Sequence, residues 1–215
     1  PWQENTALIE FNEKEKKFKN LSFDEFKFSD LENIYMATVI GLRDYVGKNN
    51  FPGVILGLSG GIDSAFCAAV AVDALGKDKV EAYMLPSNYT SENSTIDAED
   101  CANRLEINLE TIPISDTFLS LEESLKTSFK GLPNDITEEN LQSRIRGTIL
   151  MAISNKKGKM LITTGNKSEV SVGYSTLYGD MNGGFNPIKD IYKTELYALA
   201  NWRNSNLPNN ILLDK

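Results

Sequence analysis

The sequence contains no histidine, which removes Ser-His and Cys-His nucleophile systems and every His-ligated metal site from consideration. Acid–base or metal chemistry must then fall to carboxylates, lysine, tyrosine or water. Cysteine occurs only as Cys67 and Cys101, each in a segment that reads as a helix and neither in a CxxC pair, so buried reduced thiols are expected rather than a disulfide framework. No apolar run approaches the ~20 residues of a membrane-spanning helix, and Pro1-Trp2-Gln3-Glu4-Asn5 lacks the basic-then-apolar layout of a secretion signal. A soluble, cytoplasmic protein with no membrane partner is the expectation. Basic residues are outnumbered, 22 against 30 acidic, for a formal charge of −8, which leaves no broad basic surface for a nucleic-acid backbone. An initiator methionine is also missing, so a piece of a longer polypeptide is expected.

What is present is ordinary globular composition. With 215 residues, 41% hydrophobic and 24% charged, the chain can bury one substantial α/β core. Residues 1–29 are charged, with Phe11, Phe18, Phe23, Phe26 and Phe28 at no clear period, and are expected to form an extended arm or linker ahead of the core domain, 30–215. Ser29-Asp30-Leu31-Glu32 has capping-box spacing, and Leu31, Ile34, Tyr35, Thr38, Leu42 and Tyr45 recur at helical spacing to about Gly47. The run 53–58 reads as a strand buried on both faces, followed by a glycine-rich turn and an alanine-rich helix over 65–75. Strands are predicted at 80–85, 107–112 and 159–164, and helices at 94–104, 118–129 and 138–154. This alternation predicts an α/β fold: a doubly wound, open parallel sheet with helices on both faces.

Ser59-Gly60-Gly61-Ile62-Asp63-Ser64 stands between a strand and a helix N-terminus, where exposed N–H groups and the helix dipole form an anion site. It lacks the lysine of a Walker A loop and the glycine spacing of a dinucleotide fingerprint. Gly60 and Gly61 allow close approach to the ligand, Ser59 and Ser64 offer hydroxyls, and Asp63 beside phosphate makes sense as a magnesium ligand. The hexapeptide resembles the SGGxDS signature of the PP-loop ATP pyrophosphatases, which cleave ATP to AMP and pyrophosphate. That likeness implies the adenine nucleotide α-hydrolase-like fold, with ATP held by residues 57–64, that is Gly57, Leu58, Ser59, Gly60, Gly61, Ile62, Asp63 and Ser64.

A second constellation narrows the family. Leu161-Ile162-Thr163-Thr164-Gly165-Asn166-Lys167-Ser168-Glu169, the loop 173–180, the helix segment 139–146 and the segment 185–194 resemble the NAD synthetase branch of that superfamily, and the likeness runs over roughly 30–203. It implies that Thr164 and Lys193 meet ATP, that Asn140, Arg144 and Glu169 meet the substrate deamido-NAD, and that Tyr45 packs on its nicotinate ring. Independently of the family, Glu169 follows a strand and loop, from which it could join Asp63 around magnesium in oxygen-only coordination. Lys193 would neutralise phosphate charge. Asp63, Glu169 and Lys193 are thus the candidate catalytic residues.

The reaction implied by the resemblance adenylates the nicotinate carboxylate of deamido-NAD with ATP and then exchanges AMP for ammonia. Several stretches, including the first residues and the loop 178–184, look like the glutamine-dependent branch, which implies a preceding nitrilase-like glutaminase domain and either glutamine or free ammonia as nitrogen source. A homodimer, in which Tyr45 reaches a neighbour's site, is implied in the same way. The stop at Leu212-Leu213-Asp214-Lys215 falls before the family's second phosphate loop. Rival readings are another PP-loop amidotransferase or a tRNA-modifying enzyme, which would want basic patches and reactive cysteines, and a non-catalytic nucleotide-binding fragment, against which intact Asp63 and Glu169 speak.

Overall fold

The computed structural model describes residues 2, 6, 8–19 and 28–207. Phe23 and Phe26 of the expected arm, and the terminal segment 212–215, lie outside the described residues. Within that arm the chain is paired: β1 (Glu10–Asn12) and β2 (Lys17–Lys19) form an antiparallel hairpin with Phe11 opposite Phe18, their ring centroids 5.1 Å apart. A cross-strand aromatic pair of this kind is the unit that stabilises such a ladder, which a search for longer periodicity passes over.

The main body opens with α1 (Asp30–Lys48), where Ser29 Oγ accepts the Glu32 N–H at 3.2 Å, as the capping-box spacing predicts, and Tyr35, Val39, Leu42 and Val46 form the buried stripe. Then follow β3 (Val54–Gly57), α2 (Ile62–Leu75), β4 (Val80–Met84), α3 (Glu92–Leu105), β5 (Asn108–Thr111), α4 (Ser115–Leu125), α5 (Ile136–Lys157), β6 (Met160–Ile162), α6 (Lys167–Val172) and α7 (Lys193–Asn206). All four predicted strands exist. α2 begins three residues earlier than predicted because Gly61 serves as its N-cap, so half of the glycine-rich hexapeptide is already helical. The helices α6 and α7 were not predicted, although Asn166 and Glu169 have capping-box spacing and Leu196, Leu199 and Ala200 form an apolar stripe.

Strands β3 to β6 make one parallel sheet in the order β5-β4-β3-β6. Alternate strand residues feed two cores. Val54, Leu56, Ala82 and Ile162 point to the face covered by α1, α2, α3 and α7, whereas Ile55, Tyr83 and Leu161 point to the face covered by α4 and α5. The sheet is therefore doubly wound, as predicted.

The strand order carries the functional consequence. From β3 the chain winds outward through β4 and β5, then returns by α4 and α5 to place β6 on the other side of β3. Connections leave β3 and reach β6 on opposite faces, which opens a crevice between their carboxyl ends, the point at which open α/β sheets bind ligands. The loop 58–61 after β3 and the segment 163–166 after β6 are thereby made neighbours across about a hundred residues of sequence.

Candidate active site

The loop after β3 is shaped largely by its own hydroxyls. Ser64 Oγ donates to Gly61 O at 3.0 Å and accepts the Ser59 N–H at 3.2 Å, while Ser59 Oγ accepts the Gly61 N–H at 3.3 Å. Ser64 is buried, so its hydroxyl, expected to face a ligand, is engaged inside the loop. No side chain caps α2, which leaves its first N–H groups available to an anion. Gly60 has φ 85°, and a Cβ there would run into the Ser94 carbonyl, so both conformation and proximity call for glycine.

The segment after β6 is organised by Asn166, which is 1% exposed. Its Oδ1 accepts the Glu169 N–H at 3.0 Å, and the Glu169 carboxylate accepts the Asn166 N–H at 2.9 Å, a complete capping box for α6. The same amide donates through Nδ2 to Asp63 Oδ1 at 2.8 Å. The other Asp63 oxygen is ion-paired with Lys193 Nζ, and the Lys193 N–H donates to Ser168 Oγ at 3.1 Å. Three separate segments, α2, α6 and the start of α7, thus converge on one carboxylate. Sequence reasoning missed Asn166, whose N-x-x-E spacing with Glu169 was the available signal.

Two clefts flank this cluster. One, of about 610 Å³, lies over the ends of β3, β4 and β6 and is lined by Gly57, Leu58, Ser59, Leu85, Ser94 and Arg146 among others. The second, of about 390 Å³, contains Asp63, Ser64, Glu169, Tyr174 and Phe185. Ser59, Thr163, Thr164 and Asp180 border both, so the two form one continuous groove. Of the predicted residues, Gly60, Gly61 and Ile62 support the loop without lining either cleft, and Lys193 enters through its ion pair with Asp63.

Asn140 and Arg144 stand on the side of α5 that faces the loop 173–185. They hold the loop 173–185 against α5: Asn140 Oδ1 accepts the Thr176 hydroxyl at 2.8 Å and Arg144 Nε donates to Leu177 O at 3.2 Å. The residues of α5 that line the first cleft are Glu139, Ser143, Arg146, Gly147 and Leu150, one helical stripe. Arg146 Nε donates to Leu85 O at 2.9 Å, and burial lowers the pKa of its guanidinium. Sequence reasoning missed Arg146 because a motif names residues without saying which face of the helix meets the cleft. Tyr45 lines neither cleft; it is exposed on α1, with its ring 5.3 Å from Phe185, which does line the second cleft. Asp180, also missed, accepts the Thr176 N–H at 2.9 Å and the Ser143 hydroxyl at 3.3 Å.

Among the described residues no three His, Cys, Asp or Glu gather into a metal cage. Asp63 and Glu169 both line the second cleft, and their carboxylates are the donor type that magnesium takes beside substrate phosphates and water, the Asp63 oxygen paired with Lys193 having to be released to the ion. Both cysteines are buried and free; burial raises the Cys67 thiol pKa and takes Cys101 to about 12, so neither suits nucleophilic work.

The model of the NAD synthase family matches residues 34–215. The chain is 56% identical over 176 residues to the glutamine-dependent NAD(+) synthetase of Rhodobacter capsulatus, covering 82% of this chain and 32% of that one. A solved glutamine-dependent NAD+ synthetase from Acinetobacter baumannii, in complex with adenosine diphosphate, superposes with a TM-score of 0.91 at 46% identity, covering 98% of this chain and 40% of that one. The NH3-dependent NAD synthetase of Campylobacter jejuni superposes with a TM-score of 0.75 at 32% identity, over 82% of this chain and 74% of that one. The chain spans about a third of the length of the curated relatives it matches.

Proposed function

Because the chain belongs to the NAD synthase family, we propose that its groove amidates deamido-NAD (nicotinic acid adenine dinucleotide) to NAD at the expense of ATP, releasing AMP and pyrophosphate. The observation that carries this reading is the convergence of Asp63, Asn166, Glu169 and Lys193 beside an uncapped helix N-terminus at the sheet's switch point.

In this reading the adenosine of ATP occupies the first cleft, and its phosphates lie along Ser59 to Ser64 and the N-terminus of α2. Deamido-NAD enters the second cleft, walled by the loop 173–185 that Asn140 and Arg144 tether. Its nicotinate carboxylate oxygen attacks the α-phosphorus; that bond forms as the bond to the pyrophosphate oxygen breaks. Ammonia then attacks the acyl carbon, the bond to the AMP oxygen breaks, and the amide nitrogen loses a proton to solvent. Asp63 and Glu169 would hold magnesium, which would supply positive charge to the phosphate oxygens. Lys193 stabilises the charge that grows on the leaving group, Thr164 donates toward the nucleotide, and Asn166 fixes the Asp63 carboxylate by its 2.8 Å hydrogen bond. No side-chain nucleophile is needed, in keeping with a sequence free of histidine.

Glutamine is the favoured nitrogen source, through a glutaminase domain preceding residue 30, because relatives at 56% and 55% identity bear the glutamine-dependent name. Tyr45, outside both clefts of its own chain, meets the nicotinate ring only across a homodimer, and the protein works in the cytoplasm.

The test supplies the full-length protein with ATP, magnesium, deamido-NAD and either ammonium or glutamine, and follows NAD, AMP and pyrophosphate together. Equal yields of all three support the reading. AMP and pyrophosphate formed with a different acid, and no NAD, would assign the chain to another amidating reaction.

A further inference from the structure

The ion pair at the site has a counterpart at the other end of the same two helices. Asp63 and Asp73 both belong to α2, ten residues apart; Lys193 and Arg203 both belong to α7, also ten apart. Asp63 pairs with Lys193 and Asp73 pairs with Arg203, so α2 and α7 run parallel and in register, linked at two levels about 15 Å apart.

The far link is built differently from the near one. Arg203, 2% exposed, donates Nη2 to Asp73 Oδ1 at 2.9 Å and Nε to Asp73 Oδ2 at 3.1 Å, a two-pronged contact whose planar geometry tolerates little displacement. The Tyr35 hydroxyl of α1 donates to Asp73 Oδ2 at 2.5 Å. The Tyr35 ring stands edge-on to Phe66 of α2, 5.7 Å between centroids, and lies 5.4 Å from the Trp202 ring of α7. Three helices are therefore fixed at one carboxylate. Lys193, by contrast, reaches Asp63 on a flexible four-carbon stem that accommodates shifts of its helix. Apolar packing through Leu196, Leu199 and Ala200 is non-directional and defines the register less sharply than a two-pronged ion pair does.

We infer that Asp73, Arg203 and Tyr35 form a positioning clamp that sets the register of α7 on α2 and thereby the place of the Lys193 ammonium over Asp63. At about 15 Å from the near link the clamp touches neither reactant, so it acts through Lys193. A one-turn slip of α7, about 5.4 Å, would break both links, whereas a smaller rotation opposed by the guanidinium fork would move Lys193 without unfolding the protein. The catalytic consequence rests on the role proposed above for Lys193.

The test is a double-mutant cycle in the full-length enzyme between Arg203→Lys and Lys193→Met. Arg203→Lys keeps the charge and loses the fork; it is expected to lower kcat for NAD formation about tenfold while KM for ATP stays within about twofold. In the Lys193→Met background the same change is expected to alter kcat by less than about twofold. A tenfold loss that persists in that background, or a lowered Tm with kcat intact, overturns the clamp. Tyr35→Phe removes a single hydrogen bond and serves as the milder variant, with about a threefold loss expected in the same cycle. A second readout is independent of turnover: the ¹³C NMR signal of the dimethylated Lys193 amine, identified by its loss in Lys193→Met. Movement of that signal in Tyr35→Phe and Arg203→Lys supports the clamp and a stationary signal overturns it, including in an enzyme that makes no NAD, where the failure belongs to the proposed reaction.

Discussion

Asp63 and Lys193 are 130 residues apart in sequence and share an ion pair at the mouth of the groove, with Asn166 held at 2.8 Å on the other oxygen of the same carboxylate. Each partner comes from a different loop–helix junction, and the doubly wound topology is what brings the junctions together. The cluster is accordingly sensitive to changes that leave the fold intact.

Replacing the shared carboxylate tests its chemistry. Asp63→Ala leaves Lys193 and the Asn166 amide without their common acceptor and removes one of two magnesium-capable groups. NAD formation at saturating substrates should fall by about 10²-fold or more. Coupled assays of AMP and pyrophosphate, with circular dichroism to verify folding, check this.

Asn166 has two duties that one pair of substitutions separates. Asn166→Ala removes both the α6 cap and the bond to Asp63, and should cost about 1 kcal/mol of stability as well as activity. Asn166→Ser keeps a side-chain oxygen to cap α6 but is too short to reach Asp63 as well, so stability should stay near wild type while kcat drops about tenfold. Urea denaturation compared with steady-state kinetics distinguishes the two, and equal losses of stability in both variants would contradict the division of roles.

Gly147 of α5 packs under the loop that separates the clefts. A Cβ there would lie 2.5 Å from Asn182 Nδ2 and 2.8 Å from Gly179 O, so Gly147→Ala must push the loop outward. The expected cost is about 1–3 kcal/mol of strain. Because that strain falls on the tethered wall of the groove, kcat/KM for deamido-NAD should decline more than thermal stability does.

A pH effect is expected at the opposite end of the sheet, where Glu81 bonds Lys157 at 2.6 Å, Lys159 at 2.8 Å and the Tyr83 hydroxyl at 2.7 Å. Partial burial raises the Glu81 pKa, but these donors outweigh it and bring the carboxyl down to about 2. Since the unfolded value is near 4.3, unfolding takes up a proton between the two values. The stabilisation is complete above about pH 5 and disappears as pH falls toward 2. Wild type should exceed Glu81→Gln by ~1 kcal/mol at pH 7, given the partial exposure of the group, and the gap should close in acid; denaturation midpoints at a series of pH values measure it.

Both thiols should be inert to a disulfide reagent such as DTNB in the native state and react together on unfolding, because Cys67 and Cys101 are buried with raised pKa values. Rapid labelling of either one in the folded protein would contradict the packing of α2 or α3.

The alternation of short β-branched runs with apolar helical stripes was enough to identify the four parallel strands and the layered α/β architecture, because those patterns are local consequences of a sheet buried on both faces. The hexapeptide Ser59 to Ser64 was equally legible, since a glycine-rich turn between strand and helix has few other uses. Helices α6 and α7 are harder to read: α6 is six residues long, and in α7 the buried face formed by Leu196, Leu199 and Ala200 is short and continues into a buried charged residue, Arg203. What only the tertiary structure decided is orientation and partnership. It bonded the Ser64 hydroxyl to the backbone of its own loop, tied Asn140 and Arg144 to the loop 173–185, brought Arg146 to the first cleft, and joined Asp73 to Arg203 across the same 130 residues that separate Asp63 from Lys193. Sequence spacing fixes what shares a turn or a strand face; contacts across 130 residues depend on strand order and helix register, which are set by the packing of the whole chain.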